Sequence, residues 1–114
     1  MLLREAGLYN DGLSRLYYAV FHAMTALLLT EGVEPRRHRA LPHLLGTHFL
    51  ANGMLTAADI ALVHRVGGYR DLADYERTWE ATADIATSAF TEVEPFLLRV
   101  RTLLEQKGWI SPAG

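Results

Sequence analysis

The fifteen residues from Leu16 to Thr30, LYYAVFHAMTALLLT, contain no Asp, Glu, Lys or Arg, and no other stretch limits the fold as strongly. Leu13, Leu16/Tyr17, Val20, Met24 and Leu27/Leu28 recur at steps of three and four residues, the period of a helix, and Gly32 supplies a stop signal. The remaining faces hold Tyr18, Phe21, His22 and Leu29, so apolar side chains surround the helix. Such a helix has to be covered on more than one side. As a helix the stretch extends about 22 Å, short of the roughly 30 Å of hydrocarbon that a membrane span crosses. It predicts a core helix, with no membrane partner.

A chain of 114 residues suits one domain with a core large enough to need no staples. The absence of cysteine excludes disulfides, thiolate chemistry and cysteine-bound zinc. Half the residues are hydrophobic and 21% are charged, a composition that folds rather than one that stays disordered. A net charge of −2 gives no overall attraction to nucleic acid, so any such contact must come from local charge. Arg36, Arg37 and Arg39 crowd one turn, while Asp71, Asp74, Glu76, Glu80 and Asp84 crowd another region. These runs read either as a solvated loop and helix-start acids or as a surface that guides an anion. The start, Met1-Leu2-Leu3 followed by Arg4 and Glu5, does not resemble a signal peptide, and a cytoplasmic protein is expected.

The pattern predicts helices throughout. Leu2 to Tyr9 reads as the end of a first helix. Asn10, Asp11 and Gly12 form a break, with Asp11 capping the central helix. Glu34 to Arg39 form a loop, Pro35 barring helix there. A third helix runs from about Leu41 to Asn52, with Pro42 in its first turn and Gly53 at its end. Thr56-Ala57-Ala58-Asp59 has the form of a capping box, opening a helix that runs through Ile60, Val63 and Val66 until Gly67-Gly68 interrupts or loosens it. The longest pattern, Ile85 through Leu103/Leu104, predicts about twenty-five helical residues that end before Gly108, with Pro95 giving a modest kink. The expected domain is 1–108, with 109–114 as a tail.

Several of these segments carry a resemblance. Ser14-Arg15-Leu16-Tyr17-Tyr18-Ala19-Val20-Phe21-His22-Ala23, then Glu34-Pro35-Arg36-Arg37-His38-Arg39, Thr47 to Leu55, and Tyr69-Arg70-Asp71-Leu72-Ala73-Asp74-Tyr75 follow in the order and spacing of a prokaryotic branch of the HEPN (higher eukaryotes and prokaryotes nucleotide-binding) domains. The resemblance covers roughly residues 5–105. It implies an all-α, up-and-down bundle of four or five helices that pairs into a homodimer, with two arginine segments meeting across a two-fold axis to make a cleft. It further implies one half of a toxin–antitoxin-like system, encoded beside a minimal nucleotidyltransferase and binding RNA or a nucleotide.

Active members of that family resemble one another in an Arg, a polar follower and a His four to six residues beyond the Arg, and act as metal-independent ribonucleases. The chemistry suits the residues. A guanidinium holds the scissile phosphate, and an imidazole moves protons near neutral pH. The resemblance puts Arg70, Asp71 and Tyr75 at those catalytic positions, with Tyr75 in place of the His. A phenol with an ordinary pKa near 10 is a poor proton shuttle, so cleavage is expected to be impaired or absent. The alternative is a non-catalytic helical interaction module that partners a nucleotidyltransferase, in which Arg70 forms only structural ion pairs.

Arg15 and His22, seven residues apart on one helix face, join Arg36, Arg37, Arg39 and Arg70 as candidate RNA- or nucleotide-binding residues. No metal site is expected. His43 and His48 point to different faces, and neither they nor His38 and His64 have a carboxylate at ligand spacing. Gly67-Gly68 lacks the Gly-Lys-Ser/Thr of a phosphate loop, and no cofactor has residues to rest on.

Overall fold

The computed structural model describes residues 3–37, 40–76 and 78–111. Among the described residues, four α-helices make the fold: α1 (Leu3–Leu29), α2 (Leu41–Leu45), α3 (Ala57–Tyr75) and α4 (Ala83–Gln106). No strand occurs among the described residues, as the uniformly helical period requires.

The uncharged stretch forms the second half of α1. Leu13, Leu16, Tyr17, Val20, Met24, Leu27 and Leu28 are all buried, so the period read from the sequence is the core-facing stripe. α2, α3 and α4 each pack against α1, which explains why apolar residues spread so far around it. α3 contributes Leu62, Val63 and Val66 to the same core, and α4 contributes Ala89, Val93, Phe96, Val100 and Leu104.

Three expectations about helix ends are corrected. Asn10, Asp11 and Gly12 do not break the chain; α1 runs straight through them. A helix-interior Gly costs only about 1 kcal/mol, and the Asn10 side chain is used elsewhere. Its Oδ1 accepts from the Ala81 N–H at 2.8 Å, and its Nδ2 donates to the Trp79 carbonyl at 3.4 Å, tying the α3–α4 connection to α1. Asp11 pairs with Arg15 one turn on, at 3.5 Å, instead of capping.

Gly67-Gly68 likewise lies inside α3, which continues to Tyr75. A Cβ at Gly67 would sit 3.5 Å from the Tyr17 ring, in ordinary van der Waals contact, so α3 passes close to α1 at this point. Finally, the predicted third helix is α only over Leu41–Leu45, with Pro42 in its first turn, and then widens into a π-helical turn over Gly46–Leu50. Leu41, Leu45 and Phe49 still face the core along this composite element.

The capping box is present in full. Thr56 Oγ1 accepts from the Asp59 N–H at 3.1 Å, and the Asp59 carboxylate accepts from the Thr56 N–H at 2.9 Å. Asp59 is only 4% exposed and also receives the Arg99 guanidinium from α4, at 3.2 Å through Nη1. α1 and α4 both end in a Schellman arrangement. Gly32 (φ 73°) and Gly108 (φ 78°) take the left-handed position, and the next N–H, of Val33 or Trp109, reaches back to Leu28 or Leu104.

Candidate nucleotide-binding cleft

The second half of α3 faces α1 on one side and the segment leading into α2 on the other, and these walls leave an open cleft of about 790 Å³. Tyr17 comes from α1, Arg37 from the connection before α2, and His64, Gly68, Arg70 and Tyr75 from α3. Continuation of α3 through the glycine pair is what brings His64 and Arg70 into one wall.

Arg70 is held tightly. Its side chain is 17% exposed, and its Nε lies 2.9 Å from Asp74 Oδ2 as an ion pair one helical turn away. That approach is too poorly aligned to count as a hydrogen bond, leaving the buried Nε without a well-directed acceptor. Nη1 is 3.4 Å from Asp71, and Nη2 donates to the Tyr18 hydroxyl at 3.0 Å. The guanidinium carbon stands 5.6, 5.6 and 5.4 Å from the ring centres of Tyr17, Tyr18 and Tyr75, within cation–π range of all three. Asp74 is itself fixed by the Ser14 hydroxyl at 2.8 Å.

Two carboxylates thus face one guanidinium, and this corner of the cleft carries a net negative charge. Burial works against the charge on Arg70, but the Tyr18 hydrogen bond and the neighbouring Tyr18, Tyr75 and Asp74 outweigh it and raise its pKa further above the ordinary value. Arg70 stays cationic at every working pH. Burial also pushes the Tyr17 phenol up, partly offset by Arg70 and reinforced by Asp71 and Tyr18, so Tyr17 stays neutral.

The sequence candidates separate accordingly. Arg70, Asp71, Tyr75 and Arg37 share the cleft. Tyr75 stands at its rim, 69% exposed. Arg36 is exposed and does not line the cleft, and Arg39 lies outside the described residues. Arg15 points to solvent beside Asp11, and His22 lies near the rings of Tyr18 and Phe21 on the exposed face of α1. Neither Arg15 nor His22 lines this cleft.

In the sequence, His64 stands out only as one of several histidines without a carboxylate at metal-ligand spacing. Its six-residue distance from Arg70 becomes meaningful once the helix is known to run unbroken between them. No cluster of three or more His, Asp or Glu among the described residues could hold a metal ion. Among the same residues no helix is long and apolar enough to cross a membrane.

The family model described as "HEPN domain" matches residues 1–103. The chain belongs to the HEPN family. Among curated HEPN relatives, a Methanocaldococcus jannaschii protein named "Putative toxin MJ0605" is 32% identical over 105 residues, covering 92% of this chain and 78% of its own length. A second protein of that organism, "Putative toxin MJ0142", is 27% identical across 92% of this chain and 71% of itself. A UPF0332 protein of Archaeoglobus fulgidus is 29% identical over 102 residues, 90% of this chain and 81% of its own length. The resemblance read from the ordered motifs is therefore a family relationship.

Proposed function

We propose that this HEPN chain is the toxin-like half of a two-component prokaryotic system and that it binds RNA or a nucleotide in the cleft beside Arg70. The observation that carries the reading is the meeting of Arg37, Arg70 and Tyr75, from two separate parts of the chain, around one open space of about 790 Å³. That volume lies within the usual range of small-molecule sites. The toxin names of two relatives support the same direction. Binding fits the cleft better than cleavage, since Tyr75 occupies the place of the motif His and Arg70 is already engaged by Asp71 and Asp74.

The reading includes a homodimer and a minimal nucleotidyltransferase as partner. Tyr18, His22 and Leu29 form an exposed stripe along α1 that is largely apolar, and surfaces of that kind are used for association. Light scattering then reports twice the 12.8 kDa chain mass at micromolar concentration. A monomer refutes the dimer.

The intramolecular ion pairs of Arg70 favour a second reading, in which the chain is a non-catalytic interaction module. Fluorescence anisotropy with a labelled ten-nucleotide single-stranded RNA, competed by AMP, decides between the two. Saturable binding that weakens with salt supports the first. Absence of binding to both probes, with tight association to the nucleotidyltransferase, establishes the second.

A further inference from the structure

Gly68 is the residue of the cleft that packing does not explain. A Cβ at Gly67, its neighbour, would touch the Tyr17 ring at 3.5 Å, an ordinary packing distance, but a Cβ at Gly68 would meet nothing within 4 Å. Gly is among the least favourable residues for a helix interior, and here it sits in the middle of α3 with ordinary space around it. Gly68 lines the cleft, and a side chain at this position would enter unfilled space. The glycine leaves bare backbone and room at that wall, beside the apolar surface of Leu41 and Pro42.

The charge around this space is unevenly committed. Arg70 is ion-paired with Asp74 and Asp71, donates to the Tyr18 hydroxyl and is enclosed by three rings, so an incoming anion meets a net negative corner there. Arg37, reaching the same cleft from the connection before α2, is exposed and has no ion pair among the described residues. His64 lines the cleft as well and is likewise exposed. Among the described residues that line the cleft, the arginine available to a phosphate is therefore Arg37.

We propose that Gly68 keeps the cleft wall open for one nucleotide unit, whose phosphate is held by Arg37, while Arg70 is a positioning residue that fixes Tyr18 and Tyr75. This rests on the reading of the cleft as an RNA or nucleotide site. The flat unit lies against the bare wall of α3, with its phosphate toward Arg37 and His64. A guanidinium without a carboxylate partner can offer two parallel N–H donors to phosphate oxygens. Arg70 cannot do so without first giving up Asp71 or Asp74.

The test uses the full chain and two probes, the labelled ten-nucleotide single-stranded RNA and AMP as competitor. Gly68→Ala is expected to raise the melting temperature, and Gly68→Leu to keep native helicity while weakening both ligands at least tenfold. Arg37→Gln is expected to weaken RNA binding about tenfold and to flatten the slope of log K against log salt by roughly 0.7, one single-strand phosphate contact. Arg70→Lys serves as the positioning control, lowering stability while leaving that salt slope unchanged. If the unaltered chain binds neither probe, the cleft reading itself fails. If it binds both and Gly68→Leu, folded, binds them equally well, the wall is not the binding surface and this inference alone fails. A salt slope that moves with Arg70→Lys and stays fixed with Arg37→Gln overturns the assignment of the phosphate contact.

Discussion

Arg70→Ala gives the sharpest test of how the cleft is built. The substitution removes a largely buried guanidinium, so its cost can be assembled from the partners left behind. The Asp74 ion pair is partly shielded, with side-chain exposures of 17% and 33%, and is assigned about 1 kcal/mol, the upper end for a pair that water still reaches. The hydrogen bond from the charged group to Tyr18 contributes about 1 kcal/mol more. Three cation–π contacts near 5.5 Å add roughly 0.5 kcal/mol each at a half-open site. These effects share one side chain and are not additive, so the expected loss is about 2–3 kcal/mol. For a domain of this size that is a fall in melting temperature of about 8–12 °C.

Differential scanning calorimetry on Arg70→Ala, Asp74→Asn and the double variant measures both the total and the coupling between the two residues. A coupling of about 1 kcal/mol is expected. A fall below about 2 °C for Arg70→Ala would refute the caged arrangement, because a guanidinium with that little effect is a surface group. RNA affinity should fall as well, through loss of the fixed Tyr75 ring, with the Arg37-dependent part of the salt response retained.

Two further outcomes follow from the frame around the cleft. Asp59→Ala leaves the Thr56 N–H and the Arg99 guanidinium without their acceptor and should cost about 2–3 kcal/mol in denaturant melts. Burial alone would raise the pKa of Asp59, but the hydrogen bonds from Arg99 and Thr56 and the charge of Arg99 outweigh it and hold the carboxyl below its ordinary value. Its contribution is therefore fully present above about pH 4 and is lost as the pH falls through the depressed folded value. The wild-type chain should lose stability on acidification more steeply than Asp59→Asn, and equal slopes would remove Asp59 from the account. Asn10→Ala should cost about 1–2 kcal/mol, since it frees the Ala81 N–H and the Trp79 carbonyl. Hydrogen exchange should show the loss first at residues 78–81.

Local signals in the sequence were legible where chemistry and structure act on the same few residues. The Thr56–Asp59 capping box, the Gly32 and Gly108 stops and the apolar stripe of the central helix all satisfy orphan backbone groups or bury area within one element. The errors came where a residue serves a distant partner. Asn10 looks like a break because its amide competes with helix locally, yet that amide is occupied by the α3–α4 connection some seventy residues away. Gly67 looks like an interruption because the Tyr17 ring it accommodates cannot be seen from its neighbours in sequence. The π-helical turn at Gly46–Leu50 left no mark in the period, because Leu41, Leu45 and Phe49 keep steps of four through it. In the cleft, Arg70, Asp71 and Tyr75 come from one short segment and are close in sequence, but the membership of His64 and the separation of Arg37 from Arg36 depend on tertiary placement.

Tyr18 belongs to two surfaces at once. Its hydroxyl accepts from Arg70 within the cleft, while its ring stands on the exposed stripe of α1. Anything that covers that stripe and restrains the ring changes the free energy of the Arg70 corner, and anything that displaces Arg70 changes the surface the stripe presents. Thermodynamic reciprocity then requires that the two events shift each other's equilibrium by the same factor. If the stripe joins two copies of the chain, cleft occupancy and self-association become one coupled equilibrium, and the dimer constant measured with ligand will differ from the one measured without it. A single phenol is the physical link, so Tyr18→Phe, which keeps the ring and removes the hydroxyl, should uncouple them while sparing both.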